Sequence, residues 1–476
     1  GGQQRSSCCY ELAASSRGVA ADARIWPPDP HGRTGQTPRR PPWLLRHHHH
    51  LGHLHLQGPG HPPLLPPPLR LLALAPVPLH NLPPDAHIET TMAVAMVRSL
   101  PGLRDALSRL RSSDNLVAFV ADIFGTDTFD VSRELGVPPY LFFPTNLLTL
   151  SLLLHLPELD ATTSCEYRDL PTPLRLPGCV PIPGPDLLQP IQDRSNDAYR
   201  WLLHQGSRYR EAEGILANTF DAIEPEAANI LRQTVPGRPP VYLVGPLTQS
   251  GKNEAAEGAE CLQWLDRQPK GSVLFVSFGS GGTLSIAQMA ELALGLELSG
   301  QRFLWVVKSP TDGGDASEAY FTAQSKEDPF RFLPAGFVGR TREVGLLVPS
   351  WAPQAAVLNH AATGGFLSHC GWNSTLESVK AGVPMLAWPL FAEQRQNAVM
   401  LAEGARIALR LPRAEEGIVP REEVARVVKE LIEGEEGKAA HQRVTELREA
   451  AARCLEEGGP AYTALDAVAN KWKVTN

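Results

Sequence analysis

The densest group of residues that could do chemistry runs from His369 to Glu377, in the string His-Cys-Gly-Trp-Asn-Ser-Thr-Leu-Glu. An apolar run ends just before His369, and Gly371 lets the backbone turn. Asn373 or Ser374 can then cap the helix that follows. A helix start offers free N–H groups and a positive dipole end, and a nearby histidine adds a donor. These groups together suit a diphosphate, and the alternative is a capped helix beside a buried histidine.

Two further apolar runs also end in polar groups. Gly279-Ser-Gly-Gly282 follows the run from Val273 to Phe278, and its small residues would let backbone amides approach an anion at a helix start. The alternative is an ordinary strand-to-helix turn. Further along, Glu393 and Gln394 place a carboxylate beside an amide, which suits sugar hydroxyls, although alone they would be a first helical turn. Leu284 stands where a dinucleotide-binding G-x-G-x-x-G would need glycine, so a dehydrogenase is disfavoured.

The elements that must position these groups alternate as strand and helix. An apolar run ends at Asp122, a helical pattern reaches Leu135, and a strand pattern follows. The polar, glycine-containing stretch 245–260 predicts a linker, after which the alternation resumes and ends in charged amphipathic helices. The later strands are predicted at 273–278, 303–307, 346–348, 365–367 and 385–388, and helices at 285–298 and 373–380. Two doubly wound α/β domains are predicted, with ligands beyond the carboxyl ends of the strands.

Length and composition exclude several classes of protein. The 476 residues suffice for two large domains, and 44 Lys and Arg against 51 Asp and Glu give a net charge of −7, which disfavours nucleic-acid binding. The seven cysteines are too sparse for a disulfide scaffold and lack zinc-site spacing. No apolar run reaches the roughly 18 residues of a membrane span. We therefore expect a cytoplasmic protein.

The first eighty residues differ from the rest of the chain in amino-acid composition. Sixteen of the 44 prolines lie between Pro27 and Pro84, and seven of the 15 histidines lie between His47 and His61. Such a segment is not expected to build ordinary strands and helices. It is a metal-binding histidine tract, a disordered leader, or a coding region translated in the wrong frame.

The string from Trp351 to Gln394 resembles the complete signature box of the plant secondary-product UDP-glycosyltransferases, and it spans 44 residues. The resemblance extends from about Ala73 to the end. Segments 124–130 and 176–181, and Tyr320 with Asp328, resemble the branch that includes hydroquinone glucosyltransferase. The resemblance implies an α/β fold of the GT-B type, in which two Rossmann-like domains with parallel sheets face each other across the active site and a helical tail follows.

The resemblance also implies a donor site for UDP-glucose. It places Trp351 on the uracil, Ala352 and Gln354 beside base and ribose, Glu377 on the ribose hydroxyls, His369, Asn373, Ser374 and Ser280 on the diphosphate, and Trp372, Glu393 and Gln394 on the sugar. A glutamine at the last position of the box usually accompanies glucose. Fixed donors can stabilise the departing UDP, so neither a metal nor another cofactor is expected.

In the family, the base is a histidine in a G-x-G-H-x-x-P loop, oriented by an aspartate that corresponds to Asp122. The alternative for Asp122 is a cap of the following helix. The histidine loop is missing from this sequence, but residues 24–38 read one nucleotide later can encode Gly-Ser-Gly-His-Leu-Ile-Pro. We hypothesise that residues up to about Arg70 are a frameshifted translation, with the histidine encoded across the codons of Pro27 and Pro28.

The expected organisation is an aberrant leader (1–72), an incomplete N-terminal acceptor-binding domain (73–244), a linker (245–260), a C-terminal UDP-sugar-binding domain (261–455) and a helix that packs back on the N-terminal domain (456–476). The expected activity is inverting O-glucosylation of a small phenol by a monomer. Tyr140, Phe142, Phe143 and the run 147–156 could line the acceptor pocket, or belong to the core. One alternative is a non-catalytic UDP-sugar-binding protein that lacks its base. An α/β hydrolase would need a G-x-S-x-G motif, which is absent from the sequence.

Overall fold

The computed structural model describes residues 7–8, 10–14, 19–25, 70–83, 86–113, 116–248, 259–310, 328–411 and 417–474. These residues belong to two compact units. The first unit comprises Gly1–Pro185, Pro190–Leu247 and Arg453–Asn476, and the second comprises Asp186–Gln189 and Thr248–Ala452. The histidine tract and residues Pro27 and Pro28 fall in 26–69, outside the described residues, whereas 7–8, 10–14, 19–25 and 70 are described and belong to the stretch that the frameshift hypothesis covers.

The first unit is built on a mostly parallel sheet of seven strands. Its strands, with a separate short pair, are β1 (Ser7–Cys8), β2 (Tyr10–Ala14), β3 (Val19–Ile25), β4 (Arg70–Ala73), β5 (Val77–Pro78), β6 (Leu116–Ala121), β7 (Pro139–Phe143), β8 (Ile215–Ala217) and β9 (Val241–Leu243). The sheet order is β4-β2-β3-β6-β7-β8-β9, and β1 pairs with β5. Strands β3 to β9 of this sheet run parallel, while β2 is antiparallel to both of its neighbours.

Helices connect these strands. They are α1 (Ile88–Ser113), α2 (Thr128–Glu134), α3 (Leu147–Thr162), α4 (Asp197–Arg208) and α5 (Pro225–Arg232). Asn146 caps α3, because its side chain accepts a hydrogen bond from the Thr149 N–H at 2.9 Å. Strands β6 and β7 are almost wholly buried, as apolar strands covered on both faces of a parallel sheet must be.

The expectation that the proline-rich stretch builds no strands was wrong for β4 and β5, and the first sheet begins before residue 73. Strand β3 lies parallel to β6, with Ala23 opposite Ala121. Strands β2 and β3 precede Pro27 and contain no proline, so every residue keeps the N–H that a ladder needs. Strand β5 includes Pro78, in a two-stranded pair where few ladder bonds are lost.

The second unit contains a fully parallel sheet of six strands. They are β10 (Val273–Ser277), β11 (Arg302–Val307), β12 (Gly345–Pro349), β13 (Thr363–Ser368), β14 (Met385–Ala387) and β15 (Ala408–Arg410), in the order β12-β11-β10-β13-β14-β15. Its helices are α6 (Ala259–Leu265), α7 (Ile286–Ser299), α8 (Phe337–Thr341), α9 (Gln354–Leu358), α10 (Trp372–Ala381), α11 (Gln394–Val399), α12 (Arg421–Glu433) and α13 (Glu435–Leu455). The prediction of two α/β domains with parallel sheets and a helical tail is confirmed.

The core of each unit follows from its apolar runs. In the second unit Leu274, Trp305 and Leu367 come from three neighbouring strands and pack with Leu292 and Val428 of α7 and α12. In the first unit the last helix, α14 (Pro460–Val474), adds Val468 and Trp472 to a cluster with Tyr140. The rings of Trp472 and Tyr140 meet edge to face with centroids 5.4 Å apart. In the described part of the chain, every helix is too short or too polar to span a bilayer.

Candidate functional site

The predicted donor-binding residues of the second unit follow the carboxyl ends of four of its parallel strands. Trp351 follows β12, Ser280 follows β10, His369 follows β13, and Glu393 follows β14. Because all six strands run parallel, these ends share one edge of the sheet. Their order along the edge is Trp351, Ser280, His369 and Glu393, which differs from their order in the sequence.

Gln354, Ser374 and Glu377 form one hydrogen-bonded cluster. The Gln354 Nε2 atom donates to Glu377 Oε2 at 2.8 Å and to Ser374 Oγ at 3.0 Å. Gln354 begins α9, and the other two residues lie on α10, which contacts α9. The amide therefore fixes the Glu377 carboxylate beside the start of α10 and presents a charged acceptor for hydroxyl groups.

The start of α10 differs from the prediction that Asn373 or Ser374 caps it. The N-cap residue is Gly371, and no side chain caps the helix. The helix begins one residue earlier than predicted, so Asn373 is exposed in its first turn and Ser374 is directed to Gln354 instead. A helix start without a side-chain cap keeps its first-turn N–H groups for another acceptor, as an anion site requires.

Trp372 and Ala352 are more buried than contacts with a ligand would suggest. Trp372 is 3% exposed and Ala352 is 7% exposed. Gln394, at 4%, is buried to a similar degree. Trp351 is half-buried, and it follows Ser350, whose φ of 64° bends the chain at the end of β12.

His369 sits at the centre of this edge. Burial, and then the charge of Lys308, lower the pKa of His369 from 6.5 to about 4, so the ring is neutral near pH 7. Its Nδ1 atom is buried and has no hydrogen-bond partner among the described residues. A Cβ atom on Gly279 would lie 2.5 Å from Cε1 of His369, so only glycine lets the turn pack on the ring.

The sequence suggested that the turn after β10 lies at a helix start, but the structure places it elsewhere. Helix α7 begins at Ile286 and is capped by Ser285, whose hydroxyl accepts from the Gln288 N–H at 3.2 Å. Ser280 therefore lies in a separate turn. The ammonium group of Lys308 donates to the carbonyls of Gly279 and Ser280. Sequence reasoning overlooked Lys308, although it follows the apolar run of β11, the same signal that identified the other strand ends.

The loop after β14 is held by side-chain amides. Gln394 Oε1 accepts from the N–H groups of Leu390 and Phe391 at 2.9 and 3.0 Å, which turns its NH₂ group the other way. Ala392, with φ of 54°, donates its N–H to Gln189 Oε1 at 3.2 Å and accepts from the Gln189 N–H at 3.1 Å. Burial raises the pKa of Glu393. These hydrogen bonds therefore hold the turn that carries Glu393 and Gln394, the predicted sugar-binding pair.

Asp122 lies in the first unit, directly after β6. Its Oδ1 atom accepts from the Phe124 N–H at 2.9 Å, and α2 begins only at Thr128 with Asp127 as N-cap. The alternative that Asp122 caps this helix is therefore wrong. Tyr209, fully buried, donates its hydroxyl to the Ile123 carbonyl at 3.1 Å and holds the same loop.

The aromatic residues considered for the acceptor pocket belong to the core of the first unit. Tyr140, Phe142 and Phe143 are 4%, 7% and 0% exposed. Residues 147–156 form the start of α3 and are almost all buried. Among the described residues, no group of three or more His, Cys, Asp or Glu side chains is arranged to hold a metal ion, and the expectation of metal-free donor binding stays a prediction.

The chain is similar in sequence to known glycosyltransferases. The profile of the family described as UDP-glucoronosyl and UDP-glucosyl transferase matches residues 221–449. Hydroquinone glucosyltransferase from Rauvolfia serpentina is 53% identical over 409 residues, which cover 86% of this chain and 87% of the relative.

Solved structures agree with this similarity. UGT2 of Phytolacca americana, in complex with UDP-2fluoro-glucose and pterostilbene, matches with a TM-score of 0.76 and 52% identity over 82% of this chain and 84% of that chain. A UDP-glucosyltransferase from Polygonum tinctorium capable of glucosylating indoxyl, in complex with 3,4-dichloroaniline, matches with a TM-score of 0.79 and 50% identity over 84% of this chain and 85% of that chain.

Proposed function

Because the chain belongs to the family of UDP-glucoronosyl and UDP-glucosyl transferases, we propose that it transfers glucose from UDP-glucose to the hydroxyl group of a small phenol. The relatives named above are a hydroquinone glucosyltransferase and a structure that holds UDP-2fluoro-glucose with the phenol pterostilbene. The comparisons give no support to the non-catalytic alternative.

One observation carries the donor half of this proposal, namely the order of side chains along the edge of the second sheet. Trp351, Ser280, His369 and Glu393 follow one another in strand order, at about 4.8 Å per strand. We assign the uracil to Trp351, the diphosphate to Ser280 and His369, and the glucose to Glu393. The parts of UDP-glucose follow one another in the same order, so an extended donor can lie along the edge.

The other contacts that we propose for UDP-glucose follow the same order along the sheet edge. We place the ribose hydroxyls on Glu377, whose carboxylate Gln354 orients at 2.8 Å. The uncapped start of α10 supplies the diphosphate with N–H donors and a positive dipole end from Asn373 and Ser374. Gln394 presents its NH₂ group to a sugar hydroxyl, because two backbone N–H groups occupy its oxygen. We also place Ala352 and Trp372 along this path.

The proposed reaction is a single displacement. A base removes the proton of the phenol hydroxyl, the phenolate oxygen attacks the anomeric carbon opposite the bond to UDP, and that bond breaks with inversion. The negative charge that develops on UDP is stabilised by the N–H groups at the start of α10 and in the turn at Ser280. These donors need no reorganisation, so we propose that the transfer requires no metal, and activity in excess EDTA tests this.

We propose that Asp122 orients the base. Strand β3 ends at Ile25, and it leaves the sheet at the same edge as β6 because the two strands are parallel. Ile25 stands two residues before Pro27, where the frameshift hypothesis places the histidine. Peptide mass spectrometry of the native protein, searched in both frames, tests this part. Peptides containing Gly-His-Leu-Ile-Pro would support the frameshift hypothesis, and peptides with the sequence given for residues 26–70 would refute it.

The test of the function is a product assay. Purified protein is incubated with UDP-glucose and, separately, hydroquinone, pterostilbene and 3,4-dichloroaniline, and the products are identified by mass and by NMR. We expect a β-glucoside on a phenolic oxygen, and UDP-galactose should react poorly. Binding of UDP without transfer to any acceptor would refute the catalytic proposal, and transfer only to the aniline nitrogen would refute the proposed acceptor class.

A further inference from the structure

Lys308 holds the turn that carries Ser280. It directly follows β11, which lies beside β10, and its ammonium group donates to the carbonyl oxygens of Gly279 and Ser280, the latter at 2.6 Å. The side chain is half-buried. An ammonium group has three donors, so one remains after these two bonds. Lys308 lies outside the segment 351–394 that resembles the signature box.

These two bonds determine where the N–H groups of the turn point. In a trans peptide the carbonyl and the following N–H are directed to opposite sides. With the Gly279 and Ser280 carbonyls directed to Lys308, the N–H groups of Ser280 and Gly281 face away from it. Neither N–H group donates a hydrogen bond to a described residue. Successive unused N–H groups in a turn form an anion-binding concavity.

His369 closes the other side of the turn. Strand β10 lies between β11 and β13, so Lys308 and His369 flank the Gly279–Ser280 turn. Gly279 has a φ of 73° and packs against the imidazole ring. The conformation of the turn is therefore restricted from two sides, because the His369 ring packs against Gly279 and the Lys308 ammonium group binds the two carbonyls.

The charge on this edge cannot come from His369. Burial lowers its pKa to about 4, with the charge of Lys308 as a second cause, so the ring is neutral near pH 7. Burial also lowers the pKa of Lys308, to about 8, which still leaves most of the ammonium protonated at that pH. A diphosphate in this place would meet one cation, Lys308, among the groups that flank the turn.

We propose that Lys308 is a positioning residue for the donor diphosphate. It directs the Ser280 and Gly281 N–H groups towards the phosphate oxygens, and its charge offsets theirs. This inference rests on the proposed function, since it takes the diphosphate of UDP-glucose as the ligand of the turn.

The experiment compares ligands that differ only in phosphate. UDP and uridine are titrated against the full chain, by calorimetry and NMR respectively, in the wild type and in K308M, K308Q and K308R. K308M removes a charged hydrogen-bond donor, so UDP should bind about 10- to 100-fold more weakly, while uridine binding stays unchanged. K308Q keeps N–H donors without the charge and should show a smaller loss. K308R should bind UDP within about threefold of the wild type, because it keeps both charge and donors.

The matched control is K429M, since Lys429 is an exposed lysine on α12 of the same unit. Unchanged UDP binding in K308M would overturn the inference, and so would an equal loss of UDP and uridine, which would mean that Lys308 is merely structural. If K308M does not fold, the ratio of UDP to uridine affinity in K308Q decides by the same criteria. A wild-type protein that binds no UDP would refute the proposed function itself, so the two failures are distinguishable.

Discussion

Replacing Glu377 by glutamine tests the ribose contact, because the structure defines the surroundings of this carboxylate. Glu377 Oε2 accepts from Gln354 Nε2 at 2.8 Å, and Gln354 also donates to Ser374. Glutamine keeps the size and one acceptor oxygen, but it removes the charge. Hydrogen bonds to a charged group contribute about 1.5–3 kcal/mol, and the neutral ones that replace them contribute about 0.5–1.5 kcal/mol.

The expected loss follows from that difference. For two ribose hydroxyls on one carboxylate, a difference of about 1–1.5 kcal/mol per bond sums to about 2–3 kcal/mol, or about 30- to 150-fold in the Kd for UDP. The loss should appear in KM for UDP-glucose and leave kcat within about threefold, because the ribose contact is the same in the ground state and the transition state. Q354A should cost less, since it only frees the carboxylate to rotate.

The assay is calorimetric titration with UDP and with 2′-deoxy-UDP in the wild type and in E377Q. If Glu377 accepts from the 2′-hydroxyl, removing that hydroxyl weakens binding to the wild type much more than binding to E377Q. E422Q is the matched control, because Glu422 is an exposed glutamate of the same unit. A Kd for UDP within twofold of the wild type in E377Q, or equal losses for both ligands in both proteins, would refute the ribose assignment.

Three further predictions follow from the structure, two in the second unit and one in the first. W351A should weaken UDP binding by about 5- to 150-fold, because base stacking on an aromatic ring contributes about 1–3 kcal/mol, and an unchanged Kd in calorimetry would contradict it. Q189A removes the side-chain partner of the Ala392 N–H, so kcat/KM for UDP-glucose should fall about tenfold with the Kd for UDP unchanged, and weaker UDP binding would count against this. Glu224 is buried in the first unit, where it accepts from the N–H groups of Leu147 and Leu148 at 2.9 Å. Burial raises the pKa of Glu224 from 4.5 to about 7, so its contribution to stability is full below pH 4.5 and is lost, by about 3 kcal/mol, as the pH rises to 7. E224Q should lack this loss, and urea unfolding from pH 4.5 to 7.5 that shows the same slope in both proteins would refute it.

Much of the second unit could be predicted from the sequence, because its strands are short apolar runs that end in glycine, serine or histidine. Strand β10 ends one residue before the predicted Phe278, and β13 begins two residues before and ends one residue after the predicted 365–367. Helix α7 begins one residue after the predicted Ser285, which instead caps it. The hydrophobic periodicity and the residues that end or cap each element determine these features, and both are local properties of the chain.

The predictions that failed concern features whose contacts join residues distant in sequence. Asn373 has a good capping side chain, yet the N-cap of α10 is Gly371, and Ser374 of the first turn pairs with Gln354 of α9, 20 residues earlier. Lys308 becomes informative only once β11 is known to lie beside β10. A lysine after an apolar run has no pattern of its own, so its role depends on strand order, which spacing along the chain does not reveal.

The backbone itself distinguishes the edge of the second sheet where we propose that the donor binds, in a way that residue types do not. Ser350, Cys370 and Ala392 have φ values of 64°, 66° and 54°, a region that costs non-glycine residues energy, and they follow β12, β13 and β14. Each stands directly before or within a donor segment of the resemblance. Such strain persists only where surrounding contacts hold it, and at Ala392 those contacts are the two hydrogen bonds with Gln189. The backbone at this edge is therefore preorganised, because the N–H groups of Ser350, Cys370 and Ala392 already donate to the Val307 carbonyl, Ser368 Oγ and Gln189 Oε1. Preorganisation of this kind is what stabilisation of a departing diphosphate demands, since donors that had to reorient during the reaction would lose much of their effect.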